Sequence, residues 1–284
     1  MNYLGKIRVG GSNPVRIMGI INTSPESFYK KSVHTDKSSI AKTAKKMEED
    51  GADFIDVGGM STAPYLSTSI TEQKEIERIT NAITAIHKVS KLSISIDTCR
   101  SNVARAALIL GVDIINDISG LKYDPLMPEI LSEYDASVIV CAYNKKPVHG
   151  NQVTQAKKLV QQSIAIAQRA RVPKNKIVID PAIGFFRKHA KGKFFTKINS
   201  DWLARDISVL QNLDSIKGKY PMLVSVSRKS FLGELLKEPN PEKRLYGSLA
   251  AEAFAIMKGA DIIRTHNVKE TREIALVTEK IAQS

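Results

Sequence analysis

The 284-residue chain has one tryptophan, two cysteines and no apolar run near the roughly 20 residues that span a bilayer. Each scarcity excludes something. A chain of this length buries roughly 75% of its unfolded surface, so it needs no disulfide or metal staple. Cys99 and Cys141 each sit at or just after an apolar run and read as reduced, partly buried thiols. The start, MNYLGKIRVGG, lacks the apolar core of a secretory signal, so a cytoplasmic protein with no membrane partner is expected. Aromatic residues make up only 6% of the chain and do not interleave with its basic residues. The net charge of +13 therefore reads as a lysine-rich surface spread over predicted helices, with some attraction for polyanionic small molecules, and not as a nucleic-acid site. A glycine fingerprint is missing too. Asn22-Thr23-Ser24-Pro25 stands where GxGxxG would follow a first strand, which disfavours a doubly wound open sheet.

What the chain does have is alternation. Apolar runs predict strands at 16–22, 53–59, 92–97, 112–118, 137–143, 176–182, 220–227 and 260–266. Helical spacing fills the gaps, clearest in SSIAKTAKKMEEDG, TEQKEIERITNAITAIHKVS, TQAKKLVQQSIAIAQRA and VKETREIALVTEKIAQS. Ser38, Thr71 and Ser101 are the expected N-caps, and Gly51, Gly111 and Gly259 the expected left-handed C-caps. Strands of near-continuous Ile and Val are buried on both faces, as in a parallel sheet. Eight such units use up residues 1–284 with no linker or repeat, so the fold expected is α/β, a single (β/α)8 TIM barrel forming one domain.

In such a barrel all the strand ends meet at one rim. The ends here are polar: Asn22, Asp56 to Thr62, Asp97, Asn116, Asp180, Arg228-Lys229, and Arg264 with His266. A lone Asp at a strand end ordinarily caps the next helix, yet Asp97 is followed by a better cap at Ser101 and Asp180 by Pro181. A carboxylate held there can accept two parallel N–H bonds from a guanidine-type edge, and Asn116 adds a donor and an acceptor. Together they suit a 2-amino-4-oxo-pyrimidine ring. Arg228, Lys229, Arg264 and His266 come from strands seven and eight, where such barrels often bind phosphate, and read as an oxyanion clamp. Asn22 offers a neutral oxygen to Mg²⁺ shared with substrate phosphates. A planar heterocycle carrying a diphosphate leaving group satisfies both halves.

At this point the chain resembles the dihydropteroate synthase family of pterin-binding barrels. The matching segments are MGIINTSPESF, IDVGGMST with Ala63-Pro64, SIDT, INDISG, DPAIGF, SRKSFLG, the GSLA helix start and IIRTHNVKET, spread from about residue 18 to about residue 271 in the family's order. The resemblance implies a transferase of folate biosynthesis, a sulfonamide target. It would condense 6-hydroxymethyl-7,8-dihydropterin diphosphate with p-aminobenzoate, giving 7,8-dihydropteroate and pyrophosphate. It assigns Asp97, Asn116, Asp180 and Lys229 to the pterin, with Asp97, Asp180 and Lys229 as the catalytic set. Asn22, Arg264 and His266 go to the diphosphate, Asn22 also to Mg²⁺, and Thr62, Pro64, Phe185 and Ser230 to p-aminobenzoate. A homodimer through helices near the end of the barrel is implied as well.

The chain also departs from the family's pattern. Ala63 stands where an arginine is usual, Tyr29-Lys30-Lys31 replaces a Ser-Asp-Gly-Gly type loop, Cys141-Ala142-Tyr143 a Met-His-Met region, and Ala182 and Phe186 replace glycines. Lys30, Lys31 or a cation of Arg187-Lys188-His189 is the expected substitute for the missing arginine. Two alternatives follow from these changes: a related condensing enzyme that takes a ribosylated aryl amine, and a non-catalytic pterin-binding protein. A corrinoid-dependent methyltransferase would have no use for the anion clamp.

Overall fold

The computed structural model describes residues 1–25, 29–62 and 69–282, and of Lys30 the backbone only. Two short strands, β1 (Asn2–Leu4) and β2 (Ile7–Val9), pair antiparallel before the barrel begins. Eight strands then alternate with helices: β3 (Arg16–Asn22), β4 (Phe54–Gly58), β5 (Ser93–Asp97), β6 (Ile114–Asp117), β7 (Ser137–Cys141), β8 (Ile177–Asp180), β11 (Leu223–Val224) and β12 (Ile262–Thr265). Between β8 and β11, two-residue strands β9 (Phe186–Arg187) and β10 (Thr196–Lys197) pair in the long rim loop. The sheet order is β11-β12-β3-β4-β5-β6-β7-β8, all parallel. A parallel bridge from Ile179 to Met222 closes the ring. All eight expected strands are present, though the seventh is paired over two residues only. Pro221 within that run has no N–H to donate to a ladder.

The helices are α1 (Lys37–Glu49), α2 (Glu72–His87), α3 (Ser101–Ile109), α4 (Met127–Glu133), α5 (Gln152–Arg169), α6 (Trp202–Gln211), α7 (Leu213–Lys217), α8 (Ser230–Leu236), α9 (Leu245–Met257) and α10 (Val268–Ala282). Thr71 caps α2 as expected, accepting from the Lys74 amide at 3.3 Å. The other two expected caps are corrected. Asp36, not Ser38, caps α1 through the Ser39 amide, because its carboxylate also takes the Ser39 hydroxyl at 2.6 Å. Ser101 lies inside α3, and its amide is bound by Asp124 at 2.8 Å from the loop after β6. Gly51, Gly111 and Gly259 do take the left-handed conformation, at φ 89°, 86° and 91°. Both cysteines are free and buried, and among the described residues no helix is long and apolar enough to cross a membrane.

The two-residue period of the strands layers the barrel interior. Met18, Phe54, Ile114, Ile139, Val178, Leu223 and Ile262 form an apolar floor, onto which the β1–β2 hairpin sets Leu4 and Val9 as a plug. Fully burying a side chain such as Leu4 contributes about 1.5–3 kcal/mol. Two residues further along the same strands the side chains turn polar: Asp56, Asn116, Cys141, Asp180, Ser225 and Arg264. The helices pack on the outer face around Ile17, Ile21, Ile55, Val57, Ile96 and Ile115, within one large apolar cluster.

Candidate active site

Above the apolar floor lies a hollow open to the rim, lined by Asn22, Met60, Thr62, Asp97, Asn116, Asp180, Phe185, Lys229, Arg264 and His266 among others. Nine of the eleven expected site residues therefore meet in one hollow. Ser230 lies just outside its lining, at the start of α8, and Pro64 falls outside the described residues.

An ion-paired triad dominates this hollow. Arg264 donates through Nε to Asp56 Oδ2 at 2.6 Å and through Nη2 to Asp97 Oδ2 at 3.0 Å. Asn116 Nδ2 also approaches Asp56, at 3.3 Å. Burial alone would lower the Arg264 pKa, but the carboxylates of Asp56 and Asp97 outweigh it and raise the value. Asp97 keeps one oxygen in reserve: its Oδ1 is buried and has no hydrogen-bond partner among the described residues. Burial pushes the Asp97 carboxyl up to about 7 against the pull of Arg264. A buried acceptor with nothing to accept costs about 1–3 kcal/mol, which a ligand N–H would recover.

Asp180 accepts the Ala182 amide at 2.6 Å, so one oxygen does fold its own loop, and burial raises its pKa. Lys229 lies beside it. Burial lowers the ammonium to about 8, opposed by Asp180, and its Nζ sits 4.6 Å over the Phe185 ring while donating to the Ile183 carbonyl. Gly184, at φ 91°, makes room, since a Cβ there would stand 2.9 Å from Lys229 Cδ. His266 packs edge-on to Tyr29 at 4.9 Å, with its Nδ1 3.1 Å from Ser227 Oγ. Burial, then Arg264, Arg228 and Lys229, hold its pKa well below 6.5.

One member of the expected clamp is corrected. Arg228 donates to Asn267 Oδ1 at 3.0 Å and to the Pro241 and Glu242 carbonyls, and its guanidinium covers Tyr29 at 4.5 Å. It ties rim loops together and does not line the cavity. Its neighbour Lys229 takes the inward direction because Arg228 itself adopts φ 57°. Asp56 is the residue that strand-end reasoning passed over, although it occupies the same inward position on β4 as Asn116 does on β6.

The loop after β8 is held from beneath. Arg205, wholly buried, donates to the Pro181 and Ala182 carbonyls at 2.9 and 3.0 Å and pairs with Asp206. Arg187 reaches the same Asp206 at 3.4 Å, lies 4.1 Å over Trp202 and donates to Ser230 Oγ at 2.7 Å. Of the other cations considered as substitutes for an arginine at 63, Lys31 is exposed and paired with Glu242 at 3.1 Å. Lys188 and His189 are exposed.

With this geometry in view, the comparisons with known proteins can be set beside it. The model of the family described as pterin binding enzyme matches residues 18–266. The chain belongs to that family. A dihydropteroate synthase of Synechocystis is 32% identical over 93% of this chain and 89% of its own length. Among solved structures, a dihydropteroate synthase of Clostridium difficile superposes with a TM-score of 0.84 at 34% identity, over all of both chains. One of Xanthomonas albilineans superposes with a TM-score of 0.83 at 28% identity, over 96% of this chain and 94% of the other. Family membership and the cavity thus agree on the fold and on a pterin ligand class.

Ala182 adopts φ 56°, a left-handed conformation that costs a residue with a Cβ about 1–2 kcal/mol and glycine nothing. Ala182→Gly should therefore stabilise the protein by about 0.5–1 kcal/mol after the loss of chain entropy is counted. Urea denaturation checks this: an unchanged or lower midpoint would mean the loop is not strained.

Proposed function

We propose that the chain is a transferase that joins 6-hydroxymethyl-7,8-dihydropterin diphosphate to p-aminobenzoate, forming 7,8-dihydropteroate and releasing pyrophosphate in folate biosynthesis. The observation that carries this reading is the unpartnered Asp97 Oδ1, buried in one cavity with Asn116, Asp180 and the cations Arg264 and Lys229. The Clostridium difficile relative was solved in the presence of pteroic acid and the Xanthomonas albilineans relative with 4-aminobenzoic acid.

In this reading Asp97 and Asp180 accept the ring N–H groups of the pterin, Asn116 completes the edge, and Lys229 lies against the ring. As the bond to the diphosphate breaks, positive charge grows on the pterin methylene, and carboxylates fixed in a water-poor pocket stabilise it without reorganising. Lys229, Arg264 and His266 face the departing anion. The amine of p-aminobenzoate, placed among Thr62, Pro64, Phe185 and Ser230, attacks the methylene carbon, and positioning supplies much of the gain. No covalent nucleophile is needed. The two cysteines offer none: burial raises both thiols well above their usual range.

Asn22 fits Mg²⁺ as a single neutral ligand. Its Nδ2 donates to Ser32 Oγ at 2.7 Å, which leaves Oδ1 as the acceptor, and Gly58 keeps the space beside that oxygen open. Among the described residues no group of three or more His, Cys, Asp or Glu side chains could hold a metal, so the ion's other ligands would be diphosphate oxygens and water. When bound, Mg²⁺ would neutralise charge on the leaving diphosphate.

Arg187 is the cation best placed to replace the arginine absent at Ala63, through its bond to Ser230. The helices at the end of the barrel support a homodimer. α9 is apolar almost all round, and Met257 on α9 with Leu276 and Ile281 on α10 are each 60% exposed or more. A helix of that kind is ordinarily covered.

Pyrophosphate release on mixing the protein with dihydropterin diphosphate, Mg²⁺ and p-aminobenzoate tests the reaction, and sulfonamide competition tests the amine pocket. Turnover confined to a ribosylated amine, or binding without pyrophosphate, would replace this reading with one of its alternatives. The pH profile is a sharper check. Asp97 is a charge-assisted acceptor of N–H bonds only when ionised, and its carboxyl is pushed up to about 7 in the free protein, so kcat/KM for the pterin substrate should fall as pH drops below about 7. Lys229 serves only when charged, so the same parameter should fall above about 8. The acid limb of kcat should move lower, because bound pterin stabilises the carboxylate. A kcat/KM flat from about pH 5.5 to 9.5 would exclude these roles.

Arg187→Met should raise KM for p-aminobenzoate about tenfold, what a charge-assisted hydrogen bond is worth, with KM for the pterin substrate unchanged. Equal rises in both would point to loop collapse instead. Light scattering should return twice the mass of one chain, and Met257→Lys combined with Leu276→Lys should halve it.

A further inference from the structure

Behind His266 the barrel wall carries a buried file of hydroxyl groups that ends on a carboxylate. Thr271 Oγ1 donates to Glu252 Oε2 at 2.8 Å and lies 3.0 Å from Thr265 Oγ1. Thr265 Oγ1 is 3.4 Å from Ser227 Oγ, which is 3.1 Å from His266 Nδ1. Glu252 belongs to α9, Thr271 to α10, Thr265 to β12, and Ser227 follows β11. All four are buried to within 1% of completely. Two backbone amides donate into the file, Asn267 to Thr265 Oγ1 at 3.1 Å and His266 to Ser227 Oγ at 3.3 Å. The other oxygen of Glu252, Oε1, is buried without a partner among the described residues.

A hydroxyl has one proton to give, so the direction of every bond in such a file is set by its end. With Glu252 ionised, Thr271 donates to the carboxylate, Thr265 to Thr271 and Ser227 to Thr265. When Ser227 is drawn into this direction its oxygen accepts, which favours the proton of His266 on Nδ1. With Glu252 protonated the file can run the other way. Glu252 then donates to Thr271, Thr271 to Thr265, Thr265 to Ser227 and Ser227 to Nδ1, so the imidazole proton sits on Nε2. The two amide donors are compatible with both directions, since each hydroxyl oxygen accepts twice. Burial raises the Glu252 carboxyl to about 7, while Thr271, Thr265 and Arg228 favour its ionised form and Glu270 of α10 opposes it. Both directions are therefore within reach near neutral pH.

We infer that Glu252 is a positioning residue that selects the tautomer of His266 through Thr271, Thr265 and Ser227. It thereby decides whether this histidine turns a lone pair or an N–H toward the diphosphate. This rests on the reading of His266 as a diphosphate contact. An Nε2–H holds the anion, and a bare Nε2 lets it go, so the file regulates how tightly the pyrophosphate product is retained.

The test separates the tautomer from the contact. Protein labelled with ¹⁵N-histidine is examined by long-range ¹H–¹⁵N spectroscopy at about pH 8.5, above the Glu252 transition, with the His266 signal assigned by its loss in His266→Asn. The parent and Thr265→Ser, which keeps the hydroxyl, should both show His266 protonated at Nδ1. Thr265→Val cuts the file and frees Ser227 to donate, so the proton should move to Nε2. Glu252→Gln, a neutral isostere whose amide donates to Thr271, should give the same shift and serves if the valine variant does not fold. Inhibition by pyrophosphate should tighten about fivefold in both shifted variants, the value of one ordinary hydrogen bond. An Nδ1–H tautomer that persists in both, or a serine variant that shifts like the valine, would overturn the selection of the tautomer by Glu252. A shifted tautomer with unchanged pyrophosphate inhibition would overturn the diphosphate contact and leave the tautomer selection standing.

Discussion

Everything at the mouth of this barrel depends on holding a guanidinium between two carboxylates away from bulk water. Arg264 is flanked by Asp56 on one side and Asp97 on the other, and none of the three could stay ionised in the barrel interior alone. Removing Arg264 would leave two buried carboxylates uncompensated, a change that typically costs about 3–5 kcal/mol. The arrangement also divides the labour of Asp97. One oxygen is committed to Arg264 and fixes the side chain, and the other stays bare. A flexible surface carboxylate could offer a ligand two oxygens, but it would lose side-chain entropy and hydration in doing so. Asp97 has met those costs during folding, which is what preorganisation means at the level of one side chain.

The barrel was legible because its strands obey a simple rule along their length. Inward positions are apolar at the floor and polar two residues later, as in Ile114-Asn116 and Ile262-Arg264-His266, or four residues later, as in Met18-Ile20-Asn22. Near-continuous Ile and Val on the outward face keeps helices packed there, so the runs read as buried parallel strands before any coordinate is known. The β1–β2 hairpin was not legible in the same way. Its strands are three residues each, too short for a periodic signal, and its identity as a plug depends on floor residues most of which are more than a hundred positions away. One of the two misplaced caps, Ser101, has a related cause. Asp124 satisfies the first turn of α3 from another unit of the barrel, and local sequence cannot show a partner that arrives through tertiary structure.

For the site, strand-end reasoning brought eight of the nine residues to one hollow, the resemblance added Phe185, and the reasoning failed where one backbone angle decides. Arg228 and Lys229 are adjacent in sequence and equally basic, yet the left-handed conformation of Arg228 sends its side chain into the rim loops and Lys229 into the cavity. No property of the two side chains distinguishes them beforehand. Asp56 was visible at a strand end but merged with the glycines after it, and only its pairing with Arg264 marks it out. Glu252 and Thr271 lie on helices that no strand-end rule examines, and their connection to His266 is a matter of hydroxyl geometry.

The departures from the family's pattern are distributed as this architecture requires. Residues assigned to the pterin stand on strands or directly after them, where the register of eight ladders fixes each Cα, so a changed side chain there would leave a gap that no neighbour can fill. In the proposed function the aryl amine sits against loops of the rim, which can change at far smaller structural cost. Tyr29-Lys30-Lys31, Ala182 and Phe186 fall in the loops after β3 and β8, and Cys141, at the end of β7, is the departure that lies on a barrel strand. The loop after β8 shows how such change is absorbed: Arg205 grips the Pro181 and Ala182 carbonyls and so holds an alanine in a conformation suited to glycine. Phe186, where a second glycine is usual, packs its ring 3.6 Å from the same guanidinium. One buried arginine thus accommodates two substitutions, and Arg187, next to Phe186, is itself buried and joined to Ser230. In the proposed function a rigid heterocycle site and an adaptable amine site share one cavity because strands position the first and loops the second.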